Sequence, residues 1–154
     1  MKTILAPLDF SKVSDAVVSE SIALARALHG RVVLLAVVQP PVVNYEYAAV
    51  MDNLAEITAA GERNAERRLA ELETKFKAEG IPVESVQLVG SPIPLIVEQA
   101  NKISANYIVM GSHGHTAFYD LLVGSTTHGV LMRASCPVII IPAPQQAKRA
   151  KPNP

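Results

Sequence analysis

The sequence predicts an open α/β fold, a five-stranded parallel sheet with helices on both faces, and three observations carry that expectation. Short apolar runs alternate along the chain with longer stripes of helical period, the order that right-handed strand–helix–strand crossovers produce. Most of the short runs are continuously apolar rather than alternating, as strands covered on both faces must be. The length, 154 residues, suits one core, since domains cluster near about 100–150 residues.

Each element has its own signal. TILAP (3–7) reads as the first strand. After it, Ser11 or Ser14 is expected to cap a helix with the stripe Val17, Ser21, Leu24 and Leu28, and Gly30 to end it. RVVLLAVV (31–38) is the second strand. Residues 53–79 carry the stripe Leu54, Ile57, Gly61, Ala65, Leu69, Leu72 and Phe76, with Glu71/Lys75 and Glu73/Lys77 ordered for i,i+4 support outside. PVESVQL (82–88) is the third strand. In SPIPLIVEQANKI, Ser91 and the prolines suit a first helical turn, and Ile93, Ile96, Val97 and Ala100 supply its buried face. NYIVM (106–110), a short helix in STTHGVLMRA, and PVIII (137–141) complete the chain, and no internal repeat is evident.

The domain is expected to span 1–143. Residues 39–52, which open on Gln39, Pro40 and Pro41, read as a mobile loop over the end of strand two and a candidate ligand-responsive contact surface. The basic, proline-rich tail 144–154 reads as a disordered, solvating terminus.

Composition narrows the function. Fourteen Lys and Arg balance fourteen Asp and Glu, so no global positive field draws nucleic acid or an anionic membrane surface. The start, MKTILAPLDF, is too short in apolar residues for a signal peptide or a span, and a cytoplasmic protein is expected. Cys136 is the single cysteine and stands beside Pro137, where a buried, unreactive thiol is expected.

The stretch MGSHGHTAFYDLLVGSTTHGV (110–130) holds four of the eight glycines and three of the four histidines. In open parallel sheets ligands bind beyond the carboxyl ends of the strands, where strand order reverses. For an order of 3-2-1-4-5 that point lies between strands one and four, so the loops PLDFS (7–11) and GSHGHTAFYD (111–120) border it. Gly111 and Gly114 lack a Cβ, permit positive φ and let N–H groups approach an anion. Gly124 and Ser125 open the last helix, where unpaired N–H groups, the helix dipole and the serine hydroxyl favour phosphate. Taken singly, each glycine reads equally as a turn and Ser125 as an ordinary N-cap.

Together, Gly111-x2-Gly114-x9-Gly124-Ser125 resembles the nucleotide-binding signature of the universal stress protein family, ATP-binding branch. ILAPLDFS resembles the family's opening strand, VVLLAVV its second, VGSPIPLIVEQA the start of its third helix and SCPVIIIP its closing strand. The resemblance implies a sheet of order 3-2-1-4-5, of the adenine-nucleotide α-hydrolase-like kind, and a bound adenine nucleotide, ATP first. By position it implies Pro7, Asp9 and Val37 around the adenine, and Met110 and Gly111 near base and ribose. Gly114, Gly124, Ser125 and Thr126 would hold the phosphates, with His113 beside them, and Mg²⁺ or Mn²⁺ could arrive on the phosphate oxygens. Asp9 can accept from an exocyclic amine or a ribose hydroxyl, or serve as a turn residue.

Other chemistries fit less well. His113, His115 and His128 match no familiar zinc spacing, and Asp120 is the local carboxylate. A P-loop would need G-x-x-x-x-G-K-[ST], and a Rossmann dehydrogenase G-x-G-x-x-G after strand one, where APLDFSKVS stands. A flavodoxin-like or phospho-receiver module finds only Asp9 and PAPQQ in the required places. With no cationic clamp or positioned base, binding is favoured over turnover, slow hydrolysis aside. The rival readings are a dimeric interaction module of the same fold that binds no nucleotide, and a weak ATPase. PVIII at a sheet edge would be an aggregation hazard unless covered, so Val138 to Ile141 is expected to pair with its copy in a homodimer, as the resemblance also implies. The protein partner that would read the bound state is not specified by these residues.

Overall fold

The computed structural model describes residues 1–42, 51–113 and 123–143, with backbone only at Met51 and Asp52. The elements run β1 Thr3–Leu8, α1 Ser14–Leu28, β2 Arg31–Val38, α2 Met51–Ala78, β3 Val83–Val89, α3 Pro92–Lys102, β4 Tyr107–Gly111, α4 Ser125–Leu131 and β5 Val138–Ile141. The strands form one sheet of order β3-β2-β1-β4-β5, each neighbouring pair parallel. The expected fold is the observed one.

Strand limits differ from the apolar runs by a residue because pairing, not hydropathy, sets them. β1 continues to Leu8, which lies opposite Ala36. β3 starts after Pro82, whose carbonyl instead accepts the N–H of Val32 at 2.9 Å.

Two cores form on the two faces. On one, Ile4, Ala6, Val32, Leu34 and Val109 pack against Val17, Ile22, Ala65, Leu69 and Phe76 of α1 and α2. On the other, Leu5, Val33, Leu35 and Ile108 pack against Ile96 and Ala100 of α3 and Val130 of α4. Cys136 borders the second core, half-buried, and burial pushes its thiol up from the ordinary value.

The helix ends depart from expectation in physically informative ways. Neither Ser11 nor Ser14 caps α1: Val13 holds the N-cap position without a side-chain bond, and Ser14 is the first helical residue. At the other end the left-handed residue is His29, at φ 48°, rather than Gly30. Gly30 donates to the Ala25 carbonyl at 2.8 Å. It is glycine because a Cβ there would stand 2.7 Å from the Lys2 carbonyl oxygen.

In α2 the stripe is buried at Ala65, Leu69 and Phe76, but Ile57 is 55 % exposed. Lys77 pairs with Glu73 at 3.0 Å, whereas Glu71 and Lys75 make no ion pair among the described residues. In α3, Gln99 is buried beside Ile96 and Ala100, while Ile93 and Val97 are half-buried. Of the expected loop 39–52, residues 43–50 lie outside the described residues, as does the whole tail 144–154; α2 already begins at Met51.

Candidate nucleotide site

The cleft opens where β1 and β4 separate, and Pro7 makes that separation possible. β1 pairs with β2 over its whole length, from Thr3 to Leu8, but with β4 only at Ile4 and Leu5. The Thr3 carbonyl accepts from Asn106 on the β4 side, and the Lys2 carbonyl from Arg31 on the β2 side. By the two-residue period of a strand, position 7 therefore directs its backbone toward β4. Pro7 has no N–H, so the strands part there without orphaning a donor, and the ladder to β2 stays intact.

Beyond Pro7 the chain turns through Phe10, a non-glycine residue at φ 59°. The turn is tied by Asp9, whose Oδ1 accepts the Ser11 N–H at 2.9 Å and the Ser14 hydroxyl at 3.4 Å. The guanidinium of Arg68 on α2 lies 5.0 Å over the Phe10 ring, a cation–π contact that packs the loop against the helix.

On the other wall β4 ends at Gly111, followed by Ser112 and His113. Thr127 of α4 donates its hydroxyl to the Gly111 carbonyl at 2.7 Å. Gly124, at the N-cap of α4, donates its N–H to the Ser112 carbonyl at 2.7 Å. Ser112 also donates to the Ile141 carbonyl at 2.8 Å, so one residue joins the ends of β4, β5 and the start of α4.

The structure brings Pro7, Asp9, Val37, Gly111 and His113 together as lining of a single cleft. Its cavity volume is about 90 Å³, and the cleft opens to solvent. It is an open crevice rather than a closed cavity. The Met110 side chain is 5 % exposed and belongs to the second core, so it does not line the cleft. Gly124, Ser125 and Thr126 stand at the start of α4, with Ser125 exposed. The Gly124 N–H is already engaged, which removes one expected anion donor. Gly114, His115 and Asp120 lie outside the described residues.

Glycine matters here for room rather than for φ: neither Gly111 nor Gly124 adopts positive φ. A Cβ on Gly111 would stand 2.4 Å from Val13 Cγ1. Sequence reasoning missed Val13, Ser14, Gln39 and Ile96 in the lining, and missed Ser112 and Thr127 as braces. The polar pair flanking the glycine signature, a serine just after Gly111 and a threonine two residues after Ser125, was the available signal. Among the described residues no three His, Cys, Asp or Glu side chains converge as a metal site, and no helix is long and apolar enough to cross a membrane.

A model of the universal stress protein family matches residues 1–142. The chain belongs to the universal stress protein family. A universal stress protein of Methanocaldococcus jannaschii is 28 % identical over 146 residues, which cover 94 % of this chain and 84 % of that one. The solved universal stress protein UspA of Lactobacillus plantarum is 25 % identical with a TM-score of 0.83, covering 91 % of this chain and 97 % of that one. The universal stress protein of Archaeoglobus fulgidus solved in complex with dAMP shares the fold at a TM-score of 0.61 and 21 % identity, covering 92 % of this chain and 98 % of that one.

Proposed function

We propose that this universal stress protein binds an adenine nucleotide, ATP first, in the cleft between β1 and β4, and works as a nucleotide-responsive regulator in stress resistance in the cytoplasm. The observation that carries the reading is the convergence of Asp9, Gly111 and His113 on one cleft at the strand-order reversal of the sheet. The dAMP complex of the Archaeoglobus fulgidus member supports it. Pro7, Asp9 and Val37 flank the adenine, with the backbone of Met110 and Gly111 beside base and ribose. His113, Gly114, Ser125, Thr126 and the close backbone approach at Gly124 serve the phosphates, and Mg²⁺ or Mn²⁺ enters on phosphate oxygens. Val138 to Ile141 joins two copies edge to edge in a homodimer. Binding rather than turnover is the function, because the described cleft holds no cationic clamp on a transferring phosphoryl group.

The test is to denature the purified protein, identify released nucleotide by mass, and titrate ATP, AMP and a cyclic nucleotide against thermal unfolding. A ligand at a hundred times its Kd stabilises the native state by about 2.7 kcal/mol. A Cβ on Gly124 would meet its nearest atom, the Ser112 carbonyl oxygen, at 3.3 Å. The backbone there must give by a few tenths of an ångström, so Gly124→Ala should fold with a small loss of stability and weaken ATP binding. No released nucleotide and no stabilisation by any of the three at millimolar concentration would leave the empty interaction module as the function.

A further inference from the structure

On the β2 side the sheet ends in β3, whose one neighbour among the described residues is β2. Pro82 accepts the Val32 N–H and Gly90 donates to the Val38 carbonyl, both at 2.9 Å. By the two-residue period Glu84, Val86 and Leu88 therefore turn their backbone to β2, while Val83, Ser85, Gln87 and Val89 turn N–H and C=O groups out. Such edges are ordinarily blunted by brevity, a charge, a proline or a bulge. β3 runs seven residues, VESVQLV, with no lysine or proline, against four in β5 at the opposite edge. Its register with β2 is unbroken from Val83 to Val89, and its one charge, Glu84, is drawn inward to Arg31 of β2 at 3.3 Å.

The outward residues share a face with α2, where the edge has a groove of about 200 Å³ lined by Glu66, Leu69, Ala70, Glu73, Ser85 and Gln87. That lining holds two carboxylates and no cation. Lys77 and the Ser85 hydroxyl answer Glu73, whereas Glu66 makes no ion pair among the described residues. On the other face Val86 and Leu88 are half-buried beside the second core.

We propose that the open edge of β3 is a docking strand for an extended segment of a partner protein in which basic and apolar side chains alternate. The segment's main chain pairs with Ser85 and Gln87. Its basic side chains lay their stems over Ala70 and bring their charge to Glu66, and its apolar ones continue the sheet face of Val86 and Leu88. A second copy of this chain fits worse, since its β3 would bring Val83, Ser85, Gln87 and Val89 to the α2 face, none of them basic, beside a second set of carboxylates. The homodimer proposed through β5 leaves this edge open, and the inference does not rest on the nucleotide reading.

The test uses the full chain and two labelled peptides of one composition. One alternates arginine with valine; the other holds its arginines in a block and cannot turn them all to one face. By NMR hydrogen exchange, the Ser85 and Gln87 amides of the free protein should exchange far faster than those of Val86 and Leu88. The alternating peptide should slow both and bind about tenfold more tightly than the block peptide. Glu66→Gln should weaken it about fivefold, as loss of a surface ion pair does. Gln87→Pro, which removes an outward N–H and spares the β2 ladder, should weaken it about tenfold and keep the wild-type mass. Slow Ser85 and Gln87 amides in the free protein would overturn the proposal without any variant, because the edge would already be covered. Equal binding of the two peptides, no binding of either at millimolar concentration, or binding that leaves those amides unmoved would overturn it too. A mass that halves in Gln87→Pro would assign β3 to a second copy instead.

Discussion

A Cβ on Gly111 would stand 2.4 Å from Cγ1 of Val13, and one on Gly129 would stand 2.4 Å from Cδ1 of Ile93. The distances match, but the neighbours do not. Val13 is β-branched, 5 % exposed and held in the first core, so its methyl has little freedom to move aside. Ile93 is β-branched too, and its Cγ1 and Cγ2 would stand 3.0 and 3.2 Å from a Cβ on Gly129, but it is half-buried and the atom that meets it most closely, Cδ1, is the far end of its side chain. Gly111→Ala should cost about 2 kcal/mol of unfolding free energy in urea. Gly129→Ala should cost less than Gly111→Ala, because the half-buried Ile93 has room to shift and the helix interior favours alanine over glycine by about 1 kcal/mol. Val13→Ala should recover part of the Gly111→Ala loss, and two purely additive changes would contradict the steric account. Here the sequence was legible in one sense only. The spacing of glycines singled out Gly111, but the reason it must be glycine lies across the molecule in Val13, a contact that no local pattern encodes.

Helix α2 and strand β3 are joined by a polar clasp as well as by the core. The Ser85 hydroxyl donates to the Glu73 carboxylate, and the Lys77 ammonium lies 3.0 Å from its other oxygen. The Ser85 bond, then Lys77, hold the Glu73 carboxyl below its ordinary value of 4.5. A carboxyl whose value is lowered by folding contributes stability that is present above the unfolded value and lost as pH falls through the folded one. Since both partners are partly solvated, the effect is about 0.5 kcal/mol. Glu73→Gln should therefore be less stable than wild type by about that amount at neutral pH, with the difference closing as pH falls below the ordinary carboxyl value of 4.5 and through the lowered one. Urea unfolding at several pH values measures it, and a gap that does not narrow in acid would sink the clasp. At this scale most elements were legible, because strands covered on both faces and helices with one apolar stripe carry their period in the sequence. The ends were not. The Asp9 turn with its left-handed Phe10, the cap at His29 and the exposure of Ile57 depend on packing between distant segments.

At the scale of the whole molecule, the position of the cleft follows from one proline, and the sheet's free edge invites a partner. Strand order reverses between β1 and β4, and Pro7 lets the two strands part, so the crevice expected from topology is the one that Asp9 and His113 line. Residues 114–122, which hold Gly114 of the glycine signature, lie outside the described residues. The other end of the sheet is β5, whose four residues are all half-buried. Pro137 and Ile141 direct their carbonyls to β4, accepting from Ile108 and Ser112. By the two-residue period, Ile139 also faces β4, while Val138 and Ile140 turn their N–H and C=O groups to the open edge. That division makes the proposed homodimer testable one backbone group at a time. Ile140→Pro removes an outward N–H and leaves the β4 ladder untouched, whereas Ile139→Pro removes an inward one. Wild type should sediment at twice the 16.5 kDa chain mass, Ile140→Pro as a folded monomer, and Ile139→Pro should lose stability whatever its mass. A wild-type monomer at micromolar concentration would overturn the dimer. A dimeric Ile140→Pro would move the interface away from the Ile140 backbone, since that variant keeps only the outward N–H of Val138 for an edge-to-edge ladder.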